Sequence, residues 1–555
     1  MLEFKLVNAL EKVLPNQQPA SAEQLSLQAV KAETCSFQLA FKATDLNDLA
    51  TLRLESAAAT FATYKVGLVP AQNPAPADAD DAYLVTEPTL LPDLLQPLAI
   101  SEGVAELTLK SSHRGWNSIW IDVTAPAGTH QLKLTVTGPY QQGRTRFCTE
   151  TPQLPTIFEA EVSLEVVDFE LPKPKIVNTQ WFHTDSLANY YDLEVWSEKH
   201  WEVIENHFAS AVRMGVNCLL MPLWTPPLDT AVGTYRRTVQ LLDIHQVGET
   251  YRFDFTRAKR WVELMRRHGI TAVEVPHLFT QWGAEATPRF LITHADGSNS
   301  YQFGWDEAAT SPAYRHFLEQ LIPAVRDFLT TEISEANAWY HISDEPTVEQ
   351  LSAYQQAKAQ VVDLLAGAQI IDALSEPELV AAVEIPVVAT NAVEHFRALD
   401  IEPSWVYNCV AQDKEVANRF IAQTGTRHRE IGFQLYKSGA TGVLHWAFNF
   451  YNAQYSLGNI DPYQDTAAGG GFISGDAFVV YPAKNGEVLE SLRHRILRTA
   501  MNDLALCQAA EKIVGKAAVL AAIDPHGTLD YNRGFESIAQ IENARKALLK
   551  LLSAN

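Results

Sequence analysis

The chain has 555 residues, of which 47% are hydrophobic and 20% charged, a composition that excludes disordered and fibrous proteins. Its 43 basic and 66 acidic side chains leave a net charge of -23, which repels phosphate backbones and anionic bilayers and argues against nucleic acid as a partner. No stretch reaches the about 18 uninterrupted apolar residues of a membrane span, and five scattered cysteines, Cys35, Cys148, Cys218, Cys409 and Cys507, argue against a disulfide scaffold and match no zinc spacing.

The N-terminus, Met1-Leu2-Glu3-Phe4-Lys5, has no signal-peptide pattern, so a cytoplasmic protein without membrane insertion is expected. Up to about Val167, short apolar runs alternate with Gly, Pro, Asp and Asn clusters such as Asn73 to Asp81. The runs Thr34–Leu39, Phe61–Val69, Tyr83–Val85, Ser118–Val123 and Gln131–Val136 predict an antiparallel β-sandwich over residues 1–170. Leu171-Pro172-Lys173-Pro174 forms a stiff junction.

From Val177 the rhythm changes. Predicted strands Asn217–Leu223, Thr271–Leu278, Ala338–Ile342, Glu384–Ala389, Ser404–Cys409 and Gly442–Phe448 are spaced by predicted helices Trp196–Met214, Phe255–His268, Ala313–Glu332, Val348–Leu365 and Asp413–Thr424. This alternation predicts a (β/α)8-type barrel over residues 171–468, with an open parallel sheet as the competitor. Residues 469–555 are predicted as a small β element, Phe472–Tyr481, and outer helices Glu490–Gln508 and Phe535–Leu552. Gly469-Gly470-Gly471 lacks the strand-to-helix setting of a nucleotide fingerprint and predicts no phosphate cradle.

The chemistry concentrates in Trp339-Tyr340-His341-Ile342-Ser343-Asp344-Glu345-Pro346, a short apolar strand ending in two adjacent carboxylates. Consecutive strand side chains point to opposite faces, so Asp344 and Glu345 share a pocket only if the backbone leaves strand geometry there; Pro346 favours such a departure. Acid-assisted bond cleavage and a cap on the helix starting near Thr347 both fit the residues. Only Trp116 and Trp120 of 12 tryptophans precede the junction. Trp282, Trp224, Trp405 and Trp446 fall beside polar residues at strand ends, a pattern that suits either a core or a sugar's apolar face. His277, after Val273 to Pro276, and His341 fit either sugar contact or a structural role, and Asn449 and Asn452 fit either sugar hydroxyls or turns. His183 and Asp185, two apart, project to one side of an extended segment beside Trp181. The segment Pro226 to Arg237 is placed to cover the pocket.

Across most of its length the chain resembles glycoside hydrolase family 123 and the related barrel domain of formerly unknown function. The resemblance rests on the N-terminal β domain, Gln180 to Asp185 with Tyr190-Tyr191, Trp339 to Pro346, Gly442 to Ala447, and Gly475-Asp476 followed by Val480-Tyr481-Pro482 and Arg493. It implies a retaining β-N-acetylgalactosaminidase that uses the substrate's own 2-acetamido group as nucleophile. Glu345 then matches the general acid/base, and Asp344 the residue that orients and polarises the acetamido group. It also implies an aromatic floor with hydroxyl-binding groups, here Trp446, Tyr407 and Asn408, with His183 and Asp185 opposite. The partner is then a β-linked 2-acetamido sugar or glycan, with no cofactor and no metal. A Glu345 carboxyl raised toward neutrality, with Asp344 raised less, would suit these roles. A β-N-acetylhexosaminidase of other specificity and a non-catalytic carbohydrate-binding protein are the alternatives; the sequence leaves the oligomeric state open.

Overall fold

The structure, a computed structural model, describes residues 2–22, 24–141 and 154–553. Its first eight strands are β1 Leu2–Asn8, β2 Leu25–Lys31, β3 Cys35–Ala43, β4 Asp48–Ala71, β5 Thr89–Lys110, β6 Asn117–Thr124, β7 Gly128–Gln141 and β8 Thr156–Glu170. They form one sheet in the order β1-β3-β6-β4-β7-β8-β2, with β5 on β4. The pairing is antiparallel except between β2 and β8. Residues 48–55 of β4 pair with β7 and residues 60–65 with β6, while β5 follows both segments along the opposite edge. One edge of β4 thus passes from one partner to the next across the register break at Glu55/Thr60, and a single apolar cluster including Phe37, Leu52, Phe61, Ile121, Leu134 and Leu164 fills the sheet's interior.

The run Tyr83–Val85 is not a strand. Asp80 turns the chain by accepting from the Ala82 N–H at 2.9 Å, and Tyr83 docks on the second domain, its hydroxyl donating to the Asp413 carbonyl at 2.6 Å.

The remaining strands are β9 Val177–Gln180, β10 Cys218–Leu220, β11 Asp243–Val247, β12 Thr250–Asp254, β13 Ala272–Glu274, β14 Arg289–His294, β15 Asn299–Phe303, β16 Ala338–Tyr340, β17 Gln369–Leu374, β18 Ile385–Ala389, β19 Trp405–Asn408, β20 Gly442–His445, β21 Val480–Pro482 and β22 Val488–Glu490. β9, β10, β13, β16, β17, β18, β19 and β20 close in that order into a parallel barrel, β20 pairing back onto β9, which excludes the open sheet. Their short apolar sequences follow from burial on both faces: every residue of β10, β13 and β16 is buried. β11, β12, β14 and β15 form a separate four-stranded sheet inserted in the loops around β13.

Helix Glu198–Arg213 begins at Ser197, whose hydroxyl accepts from the His200 N–H, and helix Thr256–His268 ends at Gly269, held at φ 76° where an L side chain is strained. The segment Val348–Leu365 is helical only over Leu351–Ala359, after a 3-10 turn, and Asp413–Thr424 is not helical: buried Arg419 there donates to the Ala447 and Asp476 carbonyls and ties the segment to the barrel end. Helices Leu492–Val514, Lys516–Ile523 and Ile538–Ser553 complete the chain. Arg493, fully buried, pairs with Asp93 of β5 at 2.8 Å and joins the N-terminal sheet to this helical layer. Among the described residues no helix is long and apolar enough to cross a membrane. Cys35, Cys218, Cys409 and Cys507 are free thiols; Cys148 lies outside the described residues.

Candidate active site

A parallel barrel delivers the residues after each strand to one end, and there they line a cavity of about 170 Å3. Trp181 follows β9, Leu228 and Asp229 lie in the loop after β10, Gln281 and Trp282 follow β13, and Asp344 and Glu345 follow β16. Tyr407, Cys409 and Val410 come from the end of β19, and Leu444 and Trp446 from β20; Ala373, Gln454 and Phe472 complete the wall.

The adjacent carboxyls reach one cavity because strand geometry ends at Tyr340, and Glu345 turns through a left-handed φ of 44°. Such a conformation costs a non-glycine residue on the order of 1 kcal/mol or more and persists where the surroundings enforce it. Asp229 at φ 45° and Trp282 at φ 56° share it. The helix cap belongs instead to Thr347, which forms a reciprocal capping box with Gln350 and leaves both acids free of that duty.

The two acids have different neighbours. Glu345 Oε1 accepts from the Tyr407 hydroxyl at 2.7 Å and from the Cys409 thiol at 3.8 Å. Asp344 Oδ2 accepts from Gln281 Nε2 at 2.7 Å, and the Asp344 carbonyl accepts from the Trp282 N–H at 3.1 Å. Burial raises both carboxyls above their ordinary values. Asp344 goes well above, pushed further by Glu345 and Asp372, with His341 and Gln281 opposing. Glu345 is held back by its Tyr407 and Cys409 donors. The phenol and the thiol, donors that favour an anion, converge on Glu345 and not on Asp344.

Beneath the cavity lies a charged layer. Glu274 of β13 accepts from Trp181 Nε1 at 2.8 Å and from the Thr179 hydroxyl, and pairs with His341 at 2.6 Å. On its other side His341 lies 3.5 Å from Asp372, which also accepts from the Tyr354 hydroxyl at 2.5 Å. Burial disfavours charge on His341, but bonds to Asp372 and Glu274 outweigh it and push the imidazole up to about 9. The His277 ring stacks on it at 4.2 Å.

Of the residues singled out from sequence, Asp344, Glu345, Trp282, Tyr407 and Trp446 meet at the cavity wall. His277 and His341 lie in the layer below. His183 donates through Nε2 to the Trp446 carbonyl at 2.9 Å and accepts through Nδ1 from Arg236, which also clasps Asp185 with bonds of 2.8 and 2.5 Å. Asn449 brackets the His183 backbone at 2.9 and 3.2 Å, and Asn408 donates to the Ala417 carbonyl at 3.2 Å. His183, Asp185 and Asn449 form a frame behind Trp446, whereas Asn408 faces a separate internal cavity with Asn178, Gln180 and His445. Asp229, Gln281, Cys409, Gln454 and Phe472 enter the wall without having been singled out; only Asp229, within the predicted covering segment, carried a signal. Trp446 is fixed by donating Nε1 to Asp476 at 2.8 Å, a carboxyl that burial pushes up to about 7.

The model for the glycoside hydrolase 123 catalytic domain matches residues 181–510. Among solved structures, a family 123 glycoside hydrolase from Clostridium perfringens, described in terms of glycolipid glycan hydrolysis, is similar at 13% identity over 100% of this chain and 98% of that one, with a TM-score of 0.69. The N-terminal domain of PorA (7% identity, 30% of this chain and 97% of that one, TM-score 0.15) and a GH31 α-xylosidase from Xanthomonas citri (8%, 81% and 47%, TM-score 0.18) are too distant in shape to carry an argument. No curated protein matches the chain. The match over residues 181–510 spans more than half of the sequence and coincides with the barrel and its cavity, and the chain belongs to glycoside hydrolase family 123.

Proposed function

We propose that the protein is a retaining β-N-acetylgalactosaminidase that removes a β-linked 2-acetamido sugar from a glycan by substrate-assisted hydrolysis. The reading rests on one observation: neighbouring carboxyls line one cavity, yet a phenol and a thiol hold one and a carboxamide holds the other. That asymmetry suits a division between proton transfer and amide alignment.

In the first step protonated Glu345 gives its proton to the glycosidic oxygen as the C1–O bond breaks. The acetamido carbonyl oxygen bonds to C1 from the opposite face and forms a cyclic oxazolinium ion. Asp344, ionised, accepts the acetamido N–H and stabilises the growing positive charge. The Glu345 carboxylate then takes a proton from water, whose oxygen attacks C1 and reopens the ring; two inversions leave the anomeric configuration retained. Burial raises both carboxyls, and the Glu345 charge raises Asp344 further. The acetamido N–H favours its anion, and that anion in turn raises Glu345, so substrate binding places the proton where cleavage needs it. Trp181, Trp282 and Trp446 supply apolar walls for the sugar's C–H faces.

The test is a panel of alkyl glycosides assayed with wild type, Glu345→Gln and Asp344→Asn. Turnover of the β-N-acetylgalactosaminide with loss of roughly 100-fold or more in each variant is expected. Preference for the glucosaminide would indicate a hexosaminidase of other specificity, and sugar binding without turnover a carbohydrate-binding protein.

A further inference from the structure

Gln281 stands between two loops. Its Oε1 accepts from the Asp229 backbone N–H at 2.7 Å, and its Nε2 donates to Asp344 Oδ2 at 2.7 Å. The first bond fixes the sense of the carboxamide, because only its oxygen can accept from an N–H; the NH2 must then face Asp344. The Asp229 end is itself anchored: its Oδ2 accepts from the Tyr455 N–H at 3.1 Å and its carbonyl from the Ser456 hydroxyl at 2.7 Å, with Asp229 at φ 45° and Tyr455 at φ 57°. With Oδ2 engaged, Asp344 has Oδ1 left for a ligand.

We propose that Gln281 is a positioning residue, which holds one oxygen of Asp344 so that the other meets the substrate's amide N–H and which ties that alignment to the loop after β10. The inference rests on the substrate-assisted reading above. The charged and titratable groups facing this pair are Glu345 beside it, Tyr407 and Cys409 from the end of β19, Asp229 at the far end of Gln281, and His341 and Asp372 below.

Two variants test it. Gln281→Met keeps length but cannot donate; Gln281→Glu keeps the acceptor for the Asp229 N–H and donates to Asp344 only while protonated. The pH dependence of kcat and KM is measured for both with an aryl β-N-acetylgalactosaminide, alongside Asp344→Asn. Gln281→Met is expected to lose about tenfold in kcat with little change in KM. Its acid limb should move to higher pH, since the lost bond favoured the ionised Asp344. Gln281→Glu should work best at the acidic end and fail as pH rises and two anions face each other. Wild-type kcat and limb in Gln281→Met, or equal loss in both variants at every pH, overturns the positioning role. Full activity in Asp344→Asn would instead overturn the catalytic reading itself.

Discussion

Removing the Tyr407 hydroxyl tests how the cavity tunes its acid. The phenol donates to Glu345 Oε1 at 2.7 Å inside a buried site, a bond that favours the ionised carboxyl and lowers its pKa. A hydrogen bond to a charged group contributes ~1.5 kcal/mol, and at ~1.36 kcal/mol per pKa unit its loss raises Glu345 by about one unit. The Cys409 thiol remains on the same oxygen at 3.8 Å and does not cancel this. Glu345 must be protonated to assist departure, so activity falls as pH rises through its pKa, and a higher pKa carries that limb upward. In Tyr407→Phe the alkaline limb of kcat, which reports the substrate complex where Glu345 carries the proton, should therefore move up by about one pH unit. The assay needs an alkyl glycoside or a disaccharide, because a good aryl leaving group departs with little help from an acid. An alkaline limb that stays in place, or moves down, refutes the assignment of Glu345 as the acid under Tyr407's control.

Three further outcomes follow from the same geometry. The acid limb in wild type should lie above the ordinary carboxylate range, because burial and Glu345 raise Asp344 and activity is lost as pH falls and Asp344 takes a proton; a pH–kcat/KM profile checks this. A thiazoline analogue of the oxazolinium intermediate should inhibit at least about 100-fold more tightly than the product sugar, as measured by competition against an aryl substrate. Arg493→Ala should destabilise the protein by about 3–5 kcal/mol in urea unfolding, because it leaves buried Asp93 without its counter-charge, with the Tyr481 hydroxyl still donating to it, and frees the Arg419, Gly475 and Phe478 carbonyls that Arg493 also serves.

Much of the barrel is legible in the sequence because its strands are buried on both faces and read as apolar runs; β10, β13, β16, β18, β19 and β20 fall inside predicted segments. β9 and β17 escape because polar residues sit within them: Asn178 and Thr179 in one, Asp372 in the other, all buried, with the Thr179 and Asp372 side chains bonded to residues far along the chain. The Asp344-Glu345 pair stands out because two acids at a strand end are conspicuous. Gln281 does not, since a single glutamine carries no pattern until β13 and β16 lie side by side and bring it to Asp344. His183 and Asp185 illustrate the converse: conspicuous polar residues near an aromatic cluster fold into an Arg236 clasp behind the wall, a pairing set by a residue about fifty positions away.

The central claim is that the substrate's own acetamido oxygen attacks C1, and changing that oxygen's nucleophilicity tests it most directly. Aryl 2-acetamido galactosides carrying one, two and three fluorines on the acetyl methyl should show kcat/KM falling stepwise as the carbonyl oxygen loses electron density. A flat series, or full turnover of the galactoside with a 2-hydroxyl in place of the amide, would contradict it.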